Sequence, residues 1–155
     1  MFRVPTLLAP SPIHGIGVYT TLPIPAGTVI WDFTPGVDWQ LTAQELEQLP
    51  ARYRDRFRAW CYLEESSGLY VLCGDNARFM NHSPEPNCDD RGERTVAARD
   101  IEADEELTCD YRTFDAESRA LGVDSHLTIR ARTVQEDQPA ARPRVPRMSS
   151  RRRVG

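Results

Sequence analysis

Asn76-Ala77-Arg78-Phe79-Met80-Asn81-His82-Ser83-Pro84-Glu85-Pro86-Asn87-Cys88 and, a short way downstream, Glu105-Glu106-Leu107-Thr108-Cys109-Asp110-Tyr111 are the two stretches that decide the fold. Each is ordinary alone. An Asn-His pair is most often a turn or a satisfied core pair, and a lone tyrosine is most often a core aromatic whose hydroxyl has found a partner. Their conjunction in this order is hard to reach by chance. A third stretch, His14-Gly15-Ile16-Gly17-Val18-Tyr19 followed by Ile24-Pro25-Ala26-Gly27-Thr28-Val29-Ile30, precedes them. Its G-x-G lacks the six-residue dinucleotide fingerprint, which argues against a Rossmann-type site.

Working outward, the chain from Ile13 to Phe33 is a series of short β-prone runs broken by Gly and Pro, with turns at Gly15-Ile16-Gly17 and Pro25-Ala26-Gly27. Thr42-Ala43-Gln44-Glu45 has the form of a capping box and predicts a short helix to about Leu49. Pro50 fits the first position of a second helix, where its missing N–H costs nothing. Within that helix Tyr53, Phe57 and Trp60 fall on one face, which predicts core packing. Leu69–Leu72 and Thr95–Ala98 read as strands, the polar span Glu85–Glu93 as a loop, Thr113–Gly122 as a short helix and His126–Val134 as a strand. From Gln135 the chain is rich in Pro, Arg and Ser and is expected to be disordered. The pattern predicts a mainly β domain of short strands in several small sheets, with a helical insertion near residues 42–60.

A length of 155 residues suits one domain with a tail. No run of about eighteen apolar residues occurs, so no membrane span is expected. The first residues hold no sustained apolar stretch, so no secretory signal is expected and the expected location is cytoplasmic. Cys61, Cys73, Cys88 and Cys109 form no C-x-x-C pair and no Cys/His set with zinc-ligand spacing. Free, buried thiols and no structural metal follow as expectations. All 19 basic residues are arginine. Six of them (Arg142, Arg144, Arg147, Arg151, Arg152, Arg153) lie in residues 139–155, which hold no acid. The remaining 13 arginines face 23 acids, so a body of −10 carries a tail of +6, which together give the net charge of −4.

Together the three stretches resemble the SET domain, the fold of most S-adenosylmethionine-dependent protein lysine methyltransferases. That family reads R-F-x-N-H-S-x-x-P-N in the first stretch and G-E-E-L-x-x-D-Y in the second. Asp104 stands in place of the usual Gly and Pro84 in place of the usual Cys. The cysteine clusters that many relatives carry before and after the domain are missing, so the chain looks like a small stand-alone form. The resemblance implies a β-clip in which the N-H-S segment threads under the loop leading to the D-Y segment, forming a knot-like core. It divides the chain into a catalytic domain at 1–115, an extension at 116–138 that could close the channel, and the disordered arginine-rich tail at 139–155.

The resemblance also implies a site. Tyr111 would be catalytic, its hydroxyl orienting the amine. Asn81 would accept from the amino group of S-adenosylmethionine, and His82 would meet the adenine through its backbone. The main chain of Gly15, Ile16 and Gly17 would approach the methionine portion, where a missing Cβ permits close contact. Phe114 would stack on the adenine in place of the absent C-terminal segment. Tyr62 and Cys109 would line the lysine channel. Relatives often have Phe or Tyr at the position of Cys109, and the smaller side chain leans towards higher methylation states. Arg78, Ser83, Asn87 and Glu106 would serve structure.

The implied reaction is methyl transfer to a lysine of a protein substrate, expected to be basic given the acidic body. A SET-like module that keeps the fold and the cofactor but not catalysis is the alternative. A nucleic-acid arm built from the tail is conceivable but not expected.

Overall fold

The structure, a computed structural model, describes residues 1–122. Along the chain run β1 (Thr6–Pro10), β2 (Ile16–Thr20), β3 (Val29–Asp32), β4 (Trp39–Leu41), α1 (Ala43–Gln48), α2 (Ala51–Trp60), β5 (Tyr62–Leu63) and β6 (Tyr70–Leu72). A 3₁₀ turn at Asn76–Phe79 leads to β7 (Asn81–His82), β8 (Cys88–Asp90), β9 (Arg94–Ala97) and β10 (Glu106–Cys109). A second 3₁₀ turn (Tyr111–Thr113) and α3 (Ala116–Leu121) follow. The strands form three small sheets, ordered β1-β2-β10-β7, β3-β9-β8 and β4-β6-β5.

The first sheet carries the site. β10 runs antiparallel to β2 and parallel to β7, with Thr108 opposite Asn81 and Cys109 opposite His82. Two stretches separated along the chain thereby become neighbouring strands. Asn87 clamps them: its amide donates to the Glu106 carbonyl at 2.7 Å and its Oδ1 accepts the Thr108 N–H at 2.9 Å. Ser83 N–H adds a bond to the Cys109 carbonyl at 3.0 Å. Beneath lies a core of Val18, Ile24, Ile30, Ile101 and Leu107, each at most 3% exposed. A second cluster of Leu46, Cys61 and Tyr70 anchors the helices.

The capping box forms in both directions, with Thr42 N–H to Glu45 Oε2 at 2.8 Å and Glu45 N–H to Thr42 Oγ1 at 3.2 Å. Pro50 is the N-cap of α2 rather than its first helical residue; either position tolerates a missing N–H. The expected aromatic face of α2 divides. Phe57 packs on the second cluster. Tyr53 is half exposed beneath the Arg52 guanidinium, and Trp60 meets Phe79 edge-on at 5.2 Å.

Glu85–Glu93 is not all loop. Within it β8 pairs with β9, Asp90 lying opposite Thr95, and the hairpin turns through Gly92 at φ +83. Aspartates are poor strand formers, so the pairing here comes from the partner strand and not from local preference. All four cysteines are buried and unbridged. No helix among the described residues is long and apolar enough to cross a membrane. The expected strand at His126–Val134, most of the 116–138 extension and the arginine-rich tail lie outside the described residues.

Candidate active site

Tyr111 opens the 3₁₀ turn directly after β10, and Asp110 caps that turn by accepting the Arg112 N–H at 3.0 Å. The tyrosine is 6% exposed. Its N–H donates to His82 Nδ1 at 3.2 Å, and its hydroxyl donates to the Met80 carbonyl. That bond uses the lone pair of His82 Nδ1. Asp110 Oδ1 stands 3.6 Å from the same nitrogen, and the neighbouring Arg112 guanidinium holds the Asp110 carboxyl below its ordinary range. The His82 side chain is thus used internally. Among the described residues its strand, β7, is the edge of the sheet.

Asn81 joins the G-x-G loop to β10. Its Nδ2 donates to the carbonyls of His14 (3.1 Å) and Ile16 (3.2 Å) and to Glu106 Oε1 (2.8 Å). Its Oδ1 accepts no hydrogen bond among the described residues, which leaves an acceptor suited to an amino group. Glu106 Oε2 in turn receives Ser11 Oγ at 2.9 Å and the Tyr19 hydroxyl at 3.1 Å.

The two glycines have intramolecular reasons. Gly15 has φ +51, and a Cβ on Gly17 would lie 2.2 Å from Glu106 Oε1. At Gly17 the space that a side chain would fill is taken by Glu106, a reason distinct from the expected close approach of a ligand. Ile16 between them is exposed.

Beside Tyr111 lies a narrow cavity of about 50 Å³. Trp31, Trp60, Tyr62, Met80, Cys109, Tyr111 and Phe114 supply its mainly apolar wall, and Asp90, Thr95 and Asp115 its polar points. Of the residues expected from sequence, Tyr62, Cys109, Tyr111 and Phe114 come together here. Asn81, His82 and the glycine loop do not line it. Phe114 sits in the cavity wall. The turn after Tyr111 folds it back, edge-on to Tyr62 at 4.9 Å and to Tyr111 at 5.9 Å.

Burial pushes the Tyr62 phenol and the Cys73 thiol up, and a hydrogen bond with Cys88 together with burial does the same for Cys109, so these groups stay neutral. Asp115 is spent on structure, accepting Leu63 N–H (3.2 Å), Glu117 N–H (3.1 Å) and Ser118 Oγ (2.6 Å).

Trp31, Trp60 and Asp90 were not anticipated. Trp60 was assigned to the core, and Asp90 lay in a span read as loop. Nothing in the spacing of Trp31 marks it; only the strand register brings it to the cavity. Its indole N–H is buried without a hydrogen-bond partner among the described residues.

A family model described as the SET domain matches residues 15–112. The Arabidopsis thaliana histone-lysine N-methyltransferase ATX2 is 33% identical over 121 residues, covering 70% of this chain and 11% of that protein. The Drosophila melanogaster histone-lysine N-methyltransferase ash1 is 38% identical over 109 residues, covering 63% of this chain and 5% of that protein. The chain therefore spans only a small part of these relatives. Among solved structures, a humanized mutant of the Chaetomium thermophilum Polycomb Repressive Complex 2 bound to an inhibitor aligns with TM-score 0.57 and 22% identity, covering 76% of this chain and 16% of that one.

Proposed function

The chain belongs to the SET domain family, and from that premise we propose that it transfers a methyl group from S-adenosylmethionine to the side-chain amine of a lysine in a protein substrate. The observation that carries this reading is the convergence of Tyr111, Tyr62 and Cys109 on one narrow cavity while β7, with Asn81 and His82, pairs alongside β10.

The chemistry asks for such a cavity. A free lysine has a pKa of about 10.4, so only about one in two thousand is nucleophilic at pH 7. At the reacting end, apolar walls and the positive sulfonium of a bound cofactor would disfavour the ammonium, and a narrow channel enforces a single line of attack. Tyr111 orients the amine and steadies the charge that develops on it. Its hydroxyl is itself held by the Met80 carbonyl, so the ring and its oxygen are fixed before substrate arrives. When bound, S-adenosylmethionine supplies an electrophilic methyl. The residues that would hold it are Asn81, through the Oδ1 that the fold leaves without a donor, and the main chain of Gly15–Gly17 and His82. Cys109 leaves more room than a Phe or Tyr would, which favours di- and trimethylated products.

The acidic body suits a basic, lysine-bearing partner. The curated relatives are named for histone lysine, and a histone-like protein is the first substrate to try. The test incubates the protein with methyl-labelled S-adenosylmethionine and a lysine-rich protein mixture, beside Tyr111→Phe. Label on lysine should fall about 10²–10³-fold in the variant with the fold retained, and the product mass reads the methylation state. A fully active Tyr111→Phe overturns the assignment of Tyr111. Cofactor binding without transfer by the native protein would make it a binding module.

A further inference from the structure

β3, β9 and β8 are three adjacent strands, and their register sets Trp31 opposite Thr95 and Thr95 opposite Asp90. Directly opposed residues share a face of the sheet, about 4.5–5.5 Å apart. All three line the cavity beside Tyr111. The sheet thus presents to that cavity one rung: an indole, a hydroxyl and a carboxylate. Thr95 Oγ1 donates to Asp90 Oδ2 at 3.1 Å, and Gly92 N–H donates to Asp90 Oδ1 at 2.9 Å, so both oxygens are oriented. A carboxylate offers about four acceptor positions, and these two donors fill only half. The other carboxylate of the wall, Asp115, already takes three donors from the fold.

Resting on the methyltransferase reading, we propose that Asp90 is a specificity-determining residue of the lysine channel: its carboxylate receives the incoming side-chain ammonium and draws in an amine-bearing chain while the aromatic wall covers its methylenes. The pairing suits the substrate, whose long apolar stem and charged tip match a mainly apolar tube with a carboxylate that has acceptor positions to spare. The surrounding rings add cation–π attraction. Burial raises the Asp90 carboxyl to about 6, partly offset by its bonds from Gly92 and Thr95. It is therefore an anion at neutral pH and becomes neutral in mild acid. Asp90 also borders an outer depression with Asp89, Arg91 and Asp110, and Glu64 approaches from the segment after β5. Arg78, the cation of the cavity wall, is held over the Phe79 ring at 5.0 Å. The His82 ring lies 5.5 Å from the Tyr111 ring.

The experiment needs neither cofactor nor turnover, so its failure and the failure of the methyltransferase reading are separable. Butylammonium chloride, a mimic of the lysine side chain, and butanol, its uncharged counterpart, are titrated into the protein while tryptophan fluorescence is followed, since Trp31 and Trp60 both line the cavity. The native protein at pH 8 should prefer butylammonium by about tenfold or more, the scale of a charge-assisted bond. Asp90→Asn should abolish that preference, leave butanol binding unchanged and retain the native circular dichroism. In the native protein the preference should also fade as pH drops through about 6, a readout that stands even where the variant fails to fold. Equal binding of the two probes by the native protein, or a preference that survives in folded Asp90→Asn, overturns the proposal. So does a preference unchanged between pH 8 and pH 5.

Discussion

Gly17 and Glu106 are 89 residues apart in the chain and neighbours in space. The carboxylate sits where a Cβ on residue 17 would be, 2.2 Å from it, and is held there by Asn81, Ser11 and Tyr19. Gly17→Ala must expel Glu106 and leave those partners searching for other acceptors. A loss of about 1–3 kcal/mol in urea unfolding is expected, the scale of a buried donor left unmade. A variant as stable as the native protein would show that Glu106 relocates freely. The sequence motifs mark Gly17 as a surface for a ligand and Glu106 as structural. Residue identity was legible; the reason for it required the opposing side chain. Asn81 carries both meanings, since its Nδ2 is committed to the fold and its Oδ1 is not.

Among the elements, α3 shows how a local signal acquires a distant use. Asp115 is its N-cap, and the same carboxylate accepts the N–H of Leu63 in β5. It is 1% exposed. Asp115→Ala removes a cap and strands a buried amide, so a loss of about 2–4 kcal/mol is expected in denaturant unfolding. A loss under about 1 kcal/mol would limit Asp115 to capping alone. The capping box of α1 was readable because four consecutive residues contain it entirely. β8 was not, because two aspartates in a strand have no local preference for one and are held there by β9. The helical spacing of Tyr53, Phe57 and Trp60 predicts one core-packed face, but only Phe57 packs on a core cluster. Which of the three met core, solvent or cavity depended on what α2 was laid against.

Across the whole molecule, two carboxyls respond to acid in opposite senses. The Arg99 guanidinium, with help from Asn87 and the Glu102 N–H, holds Glu105 down to about 2 from an ordinary 4.5. Its contribution is complete above about 4.5 and is lost as pH falls towards 2. Asp90 is raised instead, so its ionisation opposes folding as pH climbs from about 4 to about 6. Urea unfolding of Glu105→Gln against the native protein should show a deficit of about 1 kcal/mol at pH 7, a value discounted because the Glu105 side chain is 29% exposed. The deficit should shrink towards pH 2. A deficit that stays constant with pH would assign the effect to shape rather than charge.

By itself the sequence determined the family, the mainly β architecture with its helical insertion, the capped start of α1, and the identities of Tyr111, Asn81 and Tyr62. These are carried by short contiguous motifs, where residue type and spacing act within a few bonds. Only the tertiary structure decided that β7 lies parallel to β10, that Phe114 turns back against Tyr62, and that Trp31, Thr95 and Asp90 form one rung facing the cavity. Strands of two to four residues have no periodicity from which to read a face. Their register is set by partners far along the chain, and a shift of one residue would turn Asp90 out of the cavity altogether.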